Sequence, residues 1–317
     1  RPHFDGPHIA ASFARLDADV DNFRQALRWS LPHDRRLGLS LVCDLAHFWW
    51  ERGNWGEHRD WHRRYADGGE NDPPEMRGPT LRGLSLSEHF DGHHDVAQAL
   101  AEEASRLARV RGDRRELALA LSRLAWQETY GEELHAAQRH GEAALRVARE
   151  LAEPAVLIHV LHATSFCPQK SGDHATSWSR DREALALERR VGNVRWESVT
   201  LGVMCQKAMI DWADDDTARL LDEAWEAQRP LRSPFQEALT LVGQCRLAMR
   251  RGDWATVRIY AAEAVARGRR IGYVDLQDYA LSYIASAAWM LGDVGQARSS
   301  LEESAAGGAA RRADGLE

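Results

Sequence analysis

Apolar residues along this chain recur at three- and four-residue intervals, the period of a helix with one buried face. The alternation that marks a β-strand persists nowhere, so the pattern predicts an all-α protein. Glycine punctuates it at intervals of about forty residues: Gly53, Gly92, Gly131, Gly172, then Ala213, Gly252 and Gly292. Each closes one helical pattern and opens another, where a left-handed residue ends a helix at low steric cost. Asp or Asn often follows (Asn54, Asp173, Asp214, Asp253, Asp293) and can cap the next helix. Five residues beyond the turns lie Ala97, Ala136, Ala218 and Ala297, with His58, Ser177 and Val257 in the other three. Twelve beyond lie Ala104, Ala143, Ala184 and Ala264, with Tyr65, Trp225 and Ser304 elsewhere. Both positions fall on one helical face, where small side chains let paired helices approach closely.

A second punctuation falls at 112, 152, 192, 232 and 272, occupied by Gly, Ala, Gly, Arg and Gly, with Pro154, Pro230 and Pro234 nearby. These are junctions between helix pairs. The expected organisation is a lead-in helical segment over 1–33, a repeat array over 34–306 and a frayed tail over 307–317. Its fold class is all-α, a right-handed superhelical solenoid of about seven antiparallel helix pairs with a concave groove. The loop-rich stretch "GGENDPPEMRGP" (68–79) is the one break. The tripeptide Arg-Gly-Asp occurs at 111–113 and 251–253, once at a junction and once at a turn, so both copies read as turn chemistry rather than adhesion.

Composition narrows the function. With 44% hydrophobic residues the chain can build a core. A formal net charge of −7 without a dense basic stripe argues against direct nucleic-acid binding. Cys43, Cys167, Cys205 and Cys245 form no C-x-x-C pair, which excludes a zinc finger and a thioredoxin-type site. The matching contexts "GVMCQKAM" and "VGQCRLAM" predict buried free thiols and a reducing, cytoplasmic setting. The longest apolar run, "PAVLIHVLHATSF", is too short to span a membrane and contains two histidines. A chain that starts with Arg reads as a fragment of something longer.

The stretches "MRRGDWATVRIYAAEAVARG", "KSGDHATSWSRDREALAL" and "MLGDVGQARSSLEES" resemble tetratricopeptide repeats, with units near forty residues rather than 34 and the closing Pro mostly missing. Units of this length resemble those of bacterial signal-transduction ATPases. "FARLDADVDNFRQALRWSL" (13–31) followed by "LGLSLVCDLAHFWWERGNWGEHRDWHRR" (37–64) is similar to the segment after the nucleotide-binding and winged-helix modules of STAND-type transcriptional regulators of the LuxR and SARP kinds. The resemblance implies a TPR-like sensor arm that meets an inducer or partner and releases an ATPase core, with DNA binding in another domain. No G-x-x-x-x-G-K-[ST] loop is present.

Candidate chemistry points to recognition. His58 and His62 share a helix face, His159 and His162 share another, and His89, His93 and His94 surround a turn; none has the H-E-x-x-H arrangement, and no metal or other cofactor is expected. The acidic run "WADDDTARLLDEAWE" reads as capping and dipole compensation, so no catalytic residue is expected. Stepping back three, six and ten residues from the turns along the first helices gives a stripe of His47, Trp50, Arg82, His89, Glu128, His162, Phe166, Gln169, Lys207, Arg246 and Trp289. Its mixture of aromatics and both charge signs suits a peptide, a protein segment or a small-molecule inducer in the groove. A sensor arm of this kind can also self-associate through a terminal unit. The alternative to a sensor arm is a stand-alone scaffold that binds a peptide or protein in the same groove.

Overall fold

Over residues 74–151 and 234–290, helices of 17 and 18 residues alternate because a left-handed residue interrupts the helical pattern about every twenty positions. A computed structural model describes residues 6–67, 72–210, 214–272 and 274–314. After α1 (Ile9–His33) come helix hairpins: α2 (Arg35–Glu51) with α3 (Trp55–Ala66), α4 (Pro74–Phe90) with α5 (His94–Arg111), and α6 (Arg114–Tyr130) with α7 (Leu134–Leu151). Then α8 (Pro154–Thr164) and its short continuation α9 (Phe166–Lys170) pair with α10 (His174–Val191). The remaining hairpins are α11 (Val194–Ile210) with α12 (Asp214–Gln228), α13 (Pro234–Arg250) with α14 (Trp254–Ile271), and α15 (Val274–Met290) with α16 (Val294–Asp314). No strand occurs among the described residues, and consecutive helices pack as neighbouring pairs. The chain divides into two compact units, one of residues 1–49 and 56–196, the other of residues 50–55 and 197–317.

The junction residues at 112, 152, 192, 232 and 272 are all left-handed, with φ of 67°, 54°, 69°, 48° and 72°. The conformation is therefore a property of the repeat and is imposed even where the residue is Ala152 or Arg232. Both Arg-Gly-Asp copies are turns. Gly112 ends α5 while Asp113 caps α6 by accepting from the Glu116 N–H, and Gly252 precedes Asp253, which caps α14 through the Thr256 N–H.

One turn, and the buried face of one further helix, depart from the expected register. At the α6–α7 turn the left-handed residue is Glu132 (φ 64°), one place after Gly131. The buried small residues of α7 are accordingly Ala137 and Ala144, in place of Ala136 and Ala143. In α12 they are Thr217 and Ala224, in place of Ala218 and Trp225; the turn placed at Ala213 lies outside the described residues. With those shifts, 97, 137, 177, 217, 257 and 297 are all buried at a strict interval of 40. A small side chain on the first helix often ties the hairpin to the carbonyl twelve residues on. Ser85 Oγ donates to Ala97 O at 2.6 Å, Cys205 Sγ approaches Thr217 O at 4.0 Å and Cys245 Sγ approaches Val257 O at 3.8 Å. Helix α16 continues through Asp314, past the expected end of the array at residue 306.

Candidate functional site

Repeat register decides which first-helix residues share a face. On α6 the stripe is Arg123, Trp126 and Tyr130; on α4 it is Arg82 and His89; on α8 and α9 it is His159, His162 and Phe166. Ring contacts tie the stripes together in the N-terminal unit. The His89 ring lies 4.1 Å from Trp126 and 4.8 Å from Tyr130, and Trp196 lies 4.9 Å from His162 and 5.5 Å from His159.

The imidazoles of His58, His62, His89 and His159 are neutral at physiological pH. Burial drives His58 and His159 well below their ordinary value, assisted by neighbouring positive charge from His47 and Arg123 on both and from Arg82 on His159. Burial also takes His62 down to about 4 and His89 to about 3. Hydrogen bonds fix the rings: His89 Nδ1 donates to Gln127 Oε1 at 2.8 Å, and His62 Nδ1 donates to the His58 carbonyl at 2.8 Å. His62 fits because residue 83 is Gly; a Cβ there would stand 2.3 Å from His62 Nε2. His58 shares a hydrogen bond of 2.6 Å with Ser87 Oγ. Both side chains are buried, and an imidazole this hard to protonate is a weak base for activating a hydroxyl.

The cations differ. Arg82 is committed to Glu116, donating from Nε to Oε1 at 2.9 Å. Arg123 is only 8% exposed, its Nε is sealed from solvent without a hydrogen bond, and among the described residues it has no carboxylate partner. Its guanidinium carbon sits 4.7 Å from the centre of the Trp126 ring. Burial, with Arg82 nearby, lowers its pKa to about 9, so it stays protonated at neutral pH. Glu88, Asp91 and His93 converge to within 4.8 Å of one another. Glu88 already pairs with Arg63 and Asp91 with Arg59, so those carboxylates are occupied by guanidinium groups.

Of the expected stripe, His47, Arg82, His89, His162 and Phe166 belong to the N-terminal unit; the Arg123 charge acts on the His89 ring, and Phe166 lies 5.7 Å from the His162 ring. Glu128 departs from this face, because its carboxylate takes the His140 ring on α7 at 2.9 Å. The left-handed residue is Glu132 and not Gly131, so a stripe counted from Gly131 is one residue, about 100°, out of register, and the position equivalent to Phe166 is Trp126. Gln169 has its Oε1 buried without a hydrogen bond. The other four belong to the second unit. Trp50 stacks on Trp55 at 4.4 Å with Phe235 at its edge, Lys207 is buried, Arg246 hydrogen-bonds the Tyr283 hydroxyl, and Trp289 is 65% exposed. Arg123, Trp126, His159 and Trp196 were absent from the expected stripe. A strict forty-residue register recovers Trp126, which aligns with Phe166; Arg123 stands where the first helices on either side carry Gly83 and Ala163.

Neither a family model nor a curated protein matches the chain in sequence. Solved structures match in fold. A Rap protein complexed with Competence and Sporulation Factor superposes with a TM-score of 0.74 at 12% identity, covering 96% of this chain and 87% of that one. A STAND protein with a tetratricopeptide repeat sensor from Pyrococcus horikoshii gives 0.65 at 12% identity, over 93% of this chain and 44% of that protein. The apo quorum sensor NprR from B. thuringiensis gives 0.52 at 9% identity, over 94% and 97%. The fold is TPR-like. No helix among the described residues is long and apolar enough to cross a membrane.

Proposed function

We propose that this chain is a non-catalytic sensing module that holds an extended peptide or protein segment along the first-helix face of its N-terminal unit. The observation that carries this is the composition of that face. Indole and imidazole rings, the latter held neutral, surround a guanidinium with no acid of its own. Flat rings supply contact area at low entropic cost, and a single charge supplies orientation. The roles named for proteins of this fold, a factor-bound Rap protein, a quorum sensor and a STAND sensor, support sensing over catalysis. We extend the proposal to a STAND-type transcriptional regulator, in which this module would report occupancy to an ATPase core; the alternative is a stand-alone scaffold.

Selecting a random twelve-residue peptide library on the immobilised protein tests the reading. Expected are enriched peptides of micromolar affinity that lose about tenfold on Trp126→Ala. Failure to enrich any peptide, or affinities untouched by that substitution, would remove it. The encoding gene tests the regulatory setting: an ATP-binding module in the same polypeptide supports it, and its absence leaves the scaffold.

A further inference from the structure

The best-defined feature of the N-terminal unit is a charge without a counter-charge. Burying a guanidinium without a carboxylate is strongly unfavourable, and proteins ordinarily pair such a group. Another guanidinium whose charge reaches it, Arg82, is already neutralised by Glu116. Helix packing does not demand an arginine at this place, because the equivalent residues of the neighbouring first helices are Gly83 and Ala163. The Trp126 ring lies 4.7 Å from the Arg123 guanidinium carbon and closes one side of it. We propose that Arg123 anchors a carboxylate of the bound ligand, with the Trp126 ring as its wall.

Charge arithmetic selects a carboxylate over a phosphate. Arg82 and Glu116 cancel, and His89 and His159 carry no charge at neutral pH, so Arg123 offers one uncompensated positive charge. That balances a monoanion and under-neutralises a dianion. A guanidinium fork also matches the two oxygens of a carboxylate. The proposal rests on the sensing reading and adds the ligand's recognised chemistry to it. Two sources provide this group in a peptide, its free C-terminus and an Asp or Glu side chain.

The first experiment uses sodium benzoate as probe, followed by tryptophan fluorescence because Trp126 lies against the guanidinium. Expected is a saturable change in the intact chain that weakens at least about tenfold in Arg123→Met, with benzamide inert. Inorganic phosphate binding more tightly than benzoate would overturn the carboxylate assignment. Thermal melting supplies a control for folding: Arg123→Met should raise the melting temperature of the unliganded protein by a few degrees, because an unpaired buried charge is removed. A lowered melting temperature would mean that Arg123 serves the core, and the proposal falls.

The second experiment uses the peptides selected above, synthesised with a free or amidated C-terminus and with acidic side chains replaced by amides. Arg123→Met should weaken binding about 100-fold, and Arg123→Lys less. Loss on amidation of the C-terminus assigns the terminal carboxylate; loss on side-chain replacement assigns an acidic residue. Peptides that bind the parent and Arg123→Met alike overturn the anchor and leave the sensing reading standing. Benzoate held through Arg123 by a protein that selects no peptide upholds the anchor and removes the peptide reading.

Discussion

Ala152 and Arg232 occupy left-handed backbone, with φ of 54° and 48°, at junctions where Gly stands in the other repeats. An L side chain there costs roughly 1 kcal/mol. Replacing Ala152 with Gly should therefore raise stability by about 0.5–1 kcal/mol, the gain being reduced by the greater freedom of Gly in the unfolded chain. A urea midpoint that fell would contradict it. The cysteines give a second residue-scale prediction. Burial pushes the Cys205 and Cys245 thiols up to about 12, so thiolate is scarce at pH 8. Ellman's reagent should modify half-buried Cys43 in the native protein and reach these two only after denaturation. The twin sequence contexts foretold buried thiols, since equivalent positions forty residues apart meet equivalent surroundings. The unpaired charge of Arg123 was not legible, because pairing depends on which carboxylates the fold brings near.

Element boundaries follow local chemistry. Asp113 starts α6 by accepting the Glu116 N–H at 2.9 Å. Asp113→Ala should cost about 1 kcal/mol and Asp113→Asn close to nothing, as chemical denaturation would show. Helix α8 breaks at Ser165 because Pro168 has no N–H to return to the Thr164 carbonyl. That carbonyl instead accepts from Arg180 Nη1 at 2.6 Å. Likewise α12 closes early in a 3-10 turn over Arg229–Leu231 that contains Pro230. The helix pairs were readable from glycine spacing. The one-residue shift in α7 was not, because Glu132 takes the left-handed role while a glycine stands beside it. That single slip put Glu128 on the expected face and left Trp126 off it.

At the scale of the whole molecule, buried neutral histidines make stability depend on pH. His58, His62, His89 and His159 protonate less readily in the folded chain than at the unfolded value of about 6.5. As pH falls below that value the unfolded chain takes up protons first. The stabilisation is thus complete above about pH 6.5, is lost on acidification, and levels off for His62 at about 4. Urea midpoints measured from pH 7 to pH 4.5 should decline, and His62→Gln should shallow the decline by up to about 1.4 kcal/mol per pH unit. An unchanged slope would show that His62 is not buried uncharged. The matched left-handed joints at Gly112 and Ala152 carry one more consequence. Excising Asp113 through Ala152 splices Gly112 onto Glu153 with the backbone already bent as the next hairpin requires. The product should be a cooperatively melting protein shorter by one copy, an internal amputation that deletes the guanidinium together with its whole module and leaves the remaining copies to close ranks.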